Sequence, residues 1–205
     1  MGLTVESMAI EMPAVKGHPN RVEFCGVLTT VDVASDRPPA GARGHRVLLT
    51  RRAAEAAIPS LLGMGLDYTP TLDRHDVRRK VGVITSAEIA GRGIEVGGFL
   101  YARDFPEIVE EIGKSDRVST SLQNGRKSGA IKTDDGDQRR KGLGRLTGHD
   151  ARHHAGLGMS YEIADAQVED VKAGVWVLNR VTFTGAAILR REKAAYRETW
   201  IALAE

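Results

Sequence analysis

The sequence predicts an α+β chain: one turn-rich domain of six strands and three short helices. Three observations point there. Apolar residues alternate in runs such as Arg21 to Val33 and Val175 to Leu189, the period-two pattern of half-buried strands. Ala90-Gly91-Arg92-Gly93 between two strand-like runs has the glycines that a hairpin reversal needs. Helical spacing appears only in short stretches, and 23 glycines imply frequent turns.

Residues 1–20 read as an irregular N-terminal arm, because Pro13, Gly17 and Pro19 interrupt any regular element. The remainder, 21–205, reads as a single domain. After the first strand, Ser35-Asp36-Arg37-Pro38-Pro39-Ala40-Gly41 is a loop by composition, and Arg46 to Leu49 is a second strand. Thr50 is placed to cap a helix over Arg51 to Leu62, where Ala54, Ala57, Ile58, Leu61 and Leu62 share a face and Pro59 should kink or end it. Val81 to Ile84 and Ile94 to Tyr101 form the hairpin. Asp104-Phe105-Pro106-Glu107 resembles a capping box for a short helix whose apolar face is Ile108, Val109 and Ile112. From about 113 to 155 the chain is rich in Gly, Lys, Arg, Asp and Ser, so this stretch is expected to be a mobile insert, with 124–144 its least structured part. Gly158 to Ile163 and Val175 to Leu189 are two further strands, separated by a break near 170–174. Glu192 to Leu203 has helical spacing at Ala195, Thr199, Trp200 and Leu203.

Composition narrows the function. Lys plus Arg 29 against Asp plus Glu 27 gives a net charge of +2, too balanced to argue for a nucleic-acid partner. No run is apolar enough to span a bilayer, and no signal peptide is expected at the N-terminus. A single cysteine, Cys25, forms no internal disulfide and no multi-cysteine zinc site, which suits a reducing compartment.

The chemically informative segment is Gly156-Leu157-Gly158-Met159-Ser160-Tyr161-Glu162-Ile163, a serine among small and apolar residues on a strand. A serine hydroxyl is a weak nucleophile at neutral pH and needs an imidazole to take its proton. His75, in Leu72-Asp73-Arg74-His75-Asp76 just before the hairpin, is the candidate base. The order histidine, hairpin, acidic helix, insert, Gly-Met-Ser-Tyr-Glu, then Val181-Thr182-Phe183-Thr184-Gly185-Ala186-Ala187-Ile188-Leu189, resembles the prohead maturation proteases of tailed bacteriophages. Their fold is similar to that of the herpesvirus assemblin proteases. The resemblance runs from about Phe24 to Trp200.

That resemblance implies a mixed, mostly antiparallel β-barrel surrounded by a few helices. It also implies a serine endopeptidase with His75 and Ser160 as catalytic residues and no metal or organic cofactor. The substrates implied are scaffold and major-capsid-protein segments and the chain itself, processed inside an assembling procapsid in the host cytoplasm, with a homodimer by analogy to the herpesvirus enzymes. Arg190-Arg191 is similar in placement to the paired arginines of the herpesvirus oxyanion site.

One part of the pattern is missing. The family's orienting acid on a later strand has no counterpart in Asn179-Arg180-Val181-Thr182-Phe183-Thr184. Glu162, Asp165, Glu169 and Asp170 are near in sequence, and Asn179 or Thr182 are polar substitutes. Alternation does not choose among them, and the third member of the triad stays open. Two other readings follow from this chain: a catalytically weak capsid-assembly or scaffold component, and a zinc-dependent hydrolase using His149, His153 and His154, of which His149 and His153 are spaced i, i+4. The zinc reading lacks the Glu after the first His and a clear third ligand.

Overall fold

The computed structural model describes residues 8–10, 17–124 and 156–204. Nine strands and two helices follow one another: β1 (Met8–Ala9), β2 (Val22–Thr30), β3 (Arg46–Leu49), α1 (Arg51–Ala57), β4 (Gly65–Tyr68), β5 (Lys80–Ala90), β6 (Gly93–Leu100), α2 (Pro106–Asn124), β7 (Leu157–Val168), β8 (Val175–Arg190) and β9 (Trp200–Leu203). No helix among the described residues is long and apolar enough to cross a membrane.

All nine strands belong to one sheet, with the order β3-β8-β4-β5-β6-β2-β9, β1 added on β5 and β7 added on β8. β3 and β4 run parallel to β8, and every other ladder is antiparallel. The sheet curls so that β7 meets β2 and β9. Met159 N–H donates to Thr199 Oγ1 at 3.2 Å, and a Cβ on Gly26 would lie 3.0 Å from Met159 Sδ. No ladder joins β7 to β9 among the described residues, so the sheet is an open half-barrel rather than the closed barrel of the expectation.

Local chemistry explains most elements. Thr50 caps α1 as its sequence predicts, its side chain accepting from Ala53 N–H, and α1 ends at Ala57 where Pro59 turns the chain into a 3-10 turn, Ile58–Leu61. That segment crosses from β3 to β4 above the edge of β8. Between the two strands the Phe183 N–H is taken by Ser60 Oγ at 3.0 Å, so no ladder donor is orphaned at that point. The β5–β6 hairpin turns through Gly91, which has φ 59°, a left-handed conformation that glycine adopts without a Cβ clash. The core is filled from every layer by Phe24, Leu28, Leu66, Ile84, Ile108 and Phe183, each 2% exposed or less.

Three expectations are corrected, and one strand, β4, is new. The stretch from Glu192 is not a helix: it forms a turn and then β9, because Trp200, Ile201 and Ala202 pair with Val27, Gly26 and Cys25 of β2. A ladder with a strand more than 170 residues away is invisible to local periodicity. β4 was not anticipated, since four residues with an aspartate in the middle do not alternate as a half-buried strand should. α2 runs on to Asn124, well past Gly113, and begins at Pro106, one residue later than a cap at Asp104 requires. Asp104 instead accepts from Asn20 Nδ2 at 2.8 Å, and Glu107 accepts from the Tyr68 hydroxyl. Within the N-terminal arm Met8 and Ala9 form a short ladder with Ala87 and Ser86. The remainder of the expected insert, 125–155, lies outside the described residues.

Candidate active site

β8 is the spine of the site. Ala187 registers with Ser160 on β7 and with Asp67 on β4. Directly registered residues point to the same face, so Ser160 and Asp67 stand on one side of the sheet, two strand spacings or roughly 10 Å apart at the backbone. Glu162 is two residues beyond Ser160 and shares that face. It registers with Gly185, where a Cβ would sit 2.8 Å from Glu162 Oε2, so the missing side chain makes room for the carboxylate.

His75 lies over this face in the loop from β4 to β5. Its Nδ1 is 3.7 Å from Asp67 Oδ1 and 3.5 Å from Glu162 Oε1, and its side chain is only 17% exposed. Several bonds hold the loop. Asp76 N–H donates to Asp67 Oδ1 at 3.1 Å, Leu72 N–H to the Thr69 carbonyl at 2.9 Å, and Arg190 N–H to the Leu72 carbonyl at 2.7 Å. Leu72 has φ 52°, a left-handed conformation costing about 1 kcal/mol for a residue with a Cβ. Its buried side chain and those backbone bonds hold it there.

Asp67 has no solvent exposure and is bound by Lys80 Nζ at 3.0 Å. Burial works against its ionisation, but the contacts from His75, Lys80 and the Asp76 N–H outweigh it and hold the carboxyl below the usual range. The two carboxylates facing Nδ1 favour the tautomer with its proton on that nitrogen, which would leave a lone pair on Nε2. Nδ1 is buried without a hydrogen-bond partner among the described residues, and its two nearest acceptors stand about half an ångström too far.

Ser160 is half-buried, and no hydrogen bond joins it to His75 among the described residues. The two belong to the same face through Glu162, which touches the imidazole and follows the serine by two positions. A small cavity of ≈ 20 Å³, room for about one water molecule, borders Ser160 and is lined by Leu28, Pro39, Met159, Tyr161 and Tyr196. Arg191 is half-buried, with its Nε donating to the Thr199 carbonyl at 3.2 Å, and desolvation lowers its pKa. Its Cα packs 3.3 Å from the position of a Cβ on Gly158, two residues before Ser160 on the same face of β7. Arg190 is exposed and enters the site by its backbone N–H alone among the described contacts.

Of the acids near Ser160 in sequence, Glu162 reaches the imidazole. Asp165 instead accepts from Thr182 Oγ1 at 3.2 Å, and Asp170 accepts from Lys172 N–H at 2.8 Å, both on the exposed far end of the β7–β8 ribbon. Asp67 was missed by sequence reasoning. The available signal was a lone carboxylate between Leu66 and Tyr68, eight residues before the candidate base. His149, His153 and His154 lie outside the described residues. Among the described residues no group of three or more His, Cys, Asp and Glu side chains is arranged to hold a metal ion.

No protein-family model matches the chain, and no curated protein matches it. Twelve solved chains do. One of them is KSHV protease, solved in complex with a hexapeptide phosphonate inhibitor, at 11% sequence identity and a TM-score of 0.37. The match covers 82% of this chain and 59% of that one, so the chain spans less than two thirds of the length of the structure it matches.

Proposed function

We propose that the chain is a serine endopeptidase of the prohead-maturation type, with Ser160 as nucleophile and His75 as general base. The observation that carries this reading is the position of His75, a mostly buried imidazole held against two carboxylates on the sheet face that also bears Ser160. His75 Nε2 takes the proton from Ser160 Oγ as the oxygen attacks a peptide carbonyl carbon. The protonated imidazole then gives that proton to the leaving amine, and an acyl-enzyme remains. Water attacks the ester with His75 again as base, releasing the acid and restoring the serine. The carboxylates at Nδ1 keep the ring oriented and stabilise the imidazolium without becoming protonated themselves. Arg191, packed beside Gly158, is the proposed contributor to oxyanion stabilisation, and Arg190 holds the His75 loop through its backbone. The proposed substrates are scaffold and capsid-protein segments in an assembling procapsid, which rests on the resemblance of the Gly-Met-Ser-Tyr-Glu and Val181–Leu189 segments.

A fluorophosphonate probe tests the reading. Covalent labelling should map to Ser160 by peptide mass spectrometry and fall at least 100-fold in His75→Ala, in line with the usual contribution of a general base. A folded protein that takes up no probe between pH 5 and 10 would refute it and favour a non-catalytic capsid-assembly role.

A further inference from the structure

The two carboxylates at His75 create an electrostatic problem. A single acid suffices to orient an imidazole, whereas a second anion at the same nitrogen favours the charged form over the neutral form that acts as a base. The structure contains a compensating charge. Lys80, the first residue of β5, registers with Asp67 and places Nζ 3.0 Å from Oδ2, the oxygen opposite the one that faces His75. Its stem is seated against Gly65, where a Cβ would lie 2.9 Å from Lys80 Cδ, so the ammonium group is aimed rather than free.

We propose that Lys80 is a positioning residue that cancels one of the two negative charges at His75, so that the ring faces the net charge of a single carboxylate. This rests on the peptidase reading above and assigns unequal roles to the two acids. Asp67 is the fixed anion, buried and bound on both oxygens by Lys80 Nζ and the Asp76 N–H. Glu162, 37% exposed at the side chain and contacting His75 with Oε1, is the adjustable one.

The groups around the ring are accounted for on each side. Asp67 on β4 and Glu162 on β7 face Nδ1, and Lys80 on β5 acts through Asp67. Within the loop itself, Arg74 lies 3.8 Å from Asp73, Asp73 also accepts from the Thr71 hydroxyl, and Asp76 keeps its charge while accepting from the Arg78 N–H; among the described contacts none of the three side chains reaches the His75 ring.

The test reads the His75 ring directly by NMR titration, assigned by its loss in His75→Gln, alongside the pH profile of fluorophosphonate labelling. Lys80→Met keeps the stem and removes the charge. It should raise both the titration midpoint and the acid limb of labelling by about one pH unit, a roughly tenfold loss of labelling on that limb. Glu162→Gln, which keeps the side chain's size at a position 37% exposed, should lower both by a similar amount, and the double variant should return close to the wild-type values. If Lys80→Met fails to fold, Lys80→Gln and the Glu162→Gln arm carry the test. A midpoint unmoved by either substitution, or moved in the same direction by both, overturns the proposal. Midpoints that move as stated in a protein that never labels support the charge balance and instead refute the peptidase reading.

Discussion

Replacing Asp67 by Asn removes one charge from the most enclosed polar group of the site at almost constant volume. In the wild-type protein its carboxylate accepts from Lys80 Nζ at 3.0 Å and from Asp76 N–H at 3.1 Å, with no solvent exposure. The Asn oxygen can still accept from Asp76, but its amide then meets the Lys80 ammonium donor to donor. Breaking a fully buried ion pair costs about 3 to 5 kcal/mol. Lys80 is 37% exposed and can turn to water, so the loss falls to that of one charge-assisted hydrogen bond, about 2 kcal/mol. For a chain of this size that corresponds to a fall in Tm of roughly 4 to 8 °C. The cost should depend on pH in one direction. The folded pKa of Asp67 lies below its ordinary value of 3.8, so the stabilisation is complete above 3.8 and is lost as pH falls through the lowered folded value. Urea unfolding of wild type and Asp67→Asn at pH 7 and at successively lower pH should therefore give curves that converge below pH 3.8. A difference under about 0.5 kcal/mol at pH 7, the size of an ordinary surface substitution, or one that does not shrink in acid, would refute the account of Asp67 as a held anion.

Two substitutions probe the scaffold instead. Gly26→Ala would drive a Cβ into the Trp200 carbonyl oxygen and against Met159 Sδ, where β2 is closed in by β9 and β7; it should cost about 3 kcal/mol and appear as a lower urea midpoint or loss of soluble, cooperatively unfolding protein. Thr50→Ala deletes the cap of α1 and should lower stability by about 1 kcal/mol, read as a shift in the urea midpoint at unchanged m-value.

Elements set by neighbours along the chain were readable in the amino-acid order. Thr50, Ala54, Ala57 and Pro59 define the start, face and end of α1 within one short stretch, and Gly91 between two alternating runs marks the β5–β6 turn. The serine and histidine were readable as candidates because their segments carry unusual local chemistry. The tail was misread for the opposite reason. Ala195, Thr199 and Trp200 satisfy a helical period, yet a ladder to β2 satisfies the backbone of residues 200–203 and buries Trp200. The two carboxylates facing His75 divide in the same way: Glu162 stands two residues from Ser160, whereas Asp67 lies more than 90 positions away.

What the chain order alone determined is the candidate pair Ser160 and His75 and the local turns and caps that begin or end each element, because those depend on bonds reaching only a few residues. What only the tertiary structure decided is which of those groups meet. The parallel pairing of β4 with β8 sets Asp67 level with Ser160, the curl of the sheet brings β7 onto β2 and β9, and the loop after β4 lowers His75 between two carboxylates. Strand register is fixed by burial of distant apolar faces against one another, a condition that no short window of sequence contains.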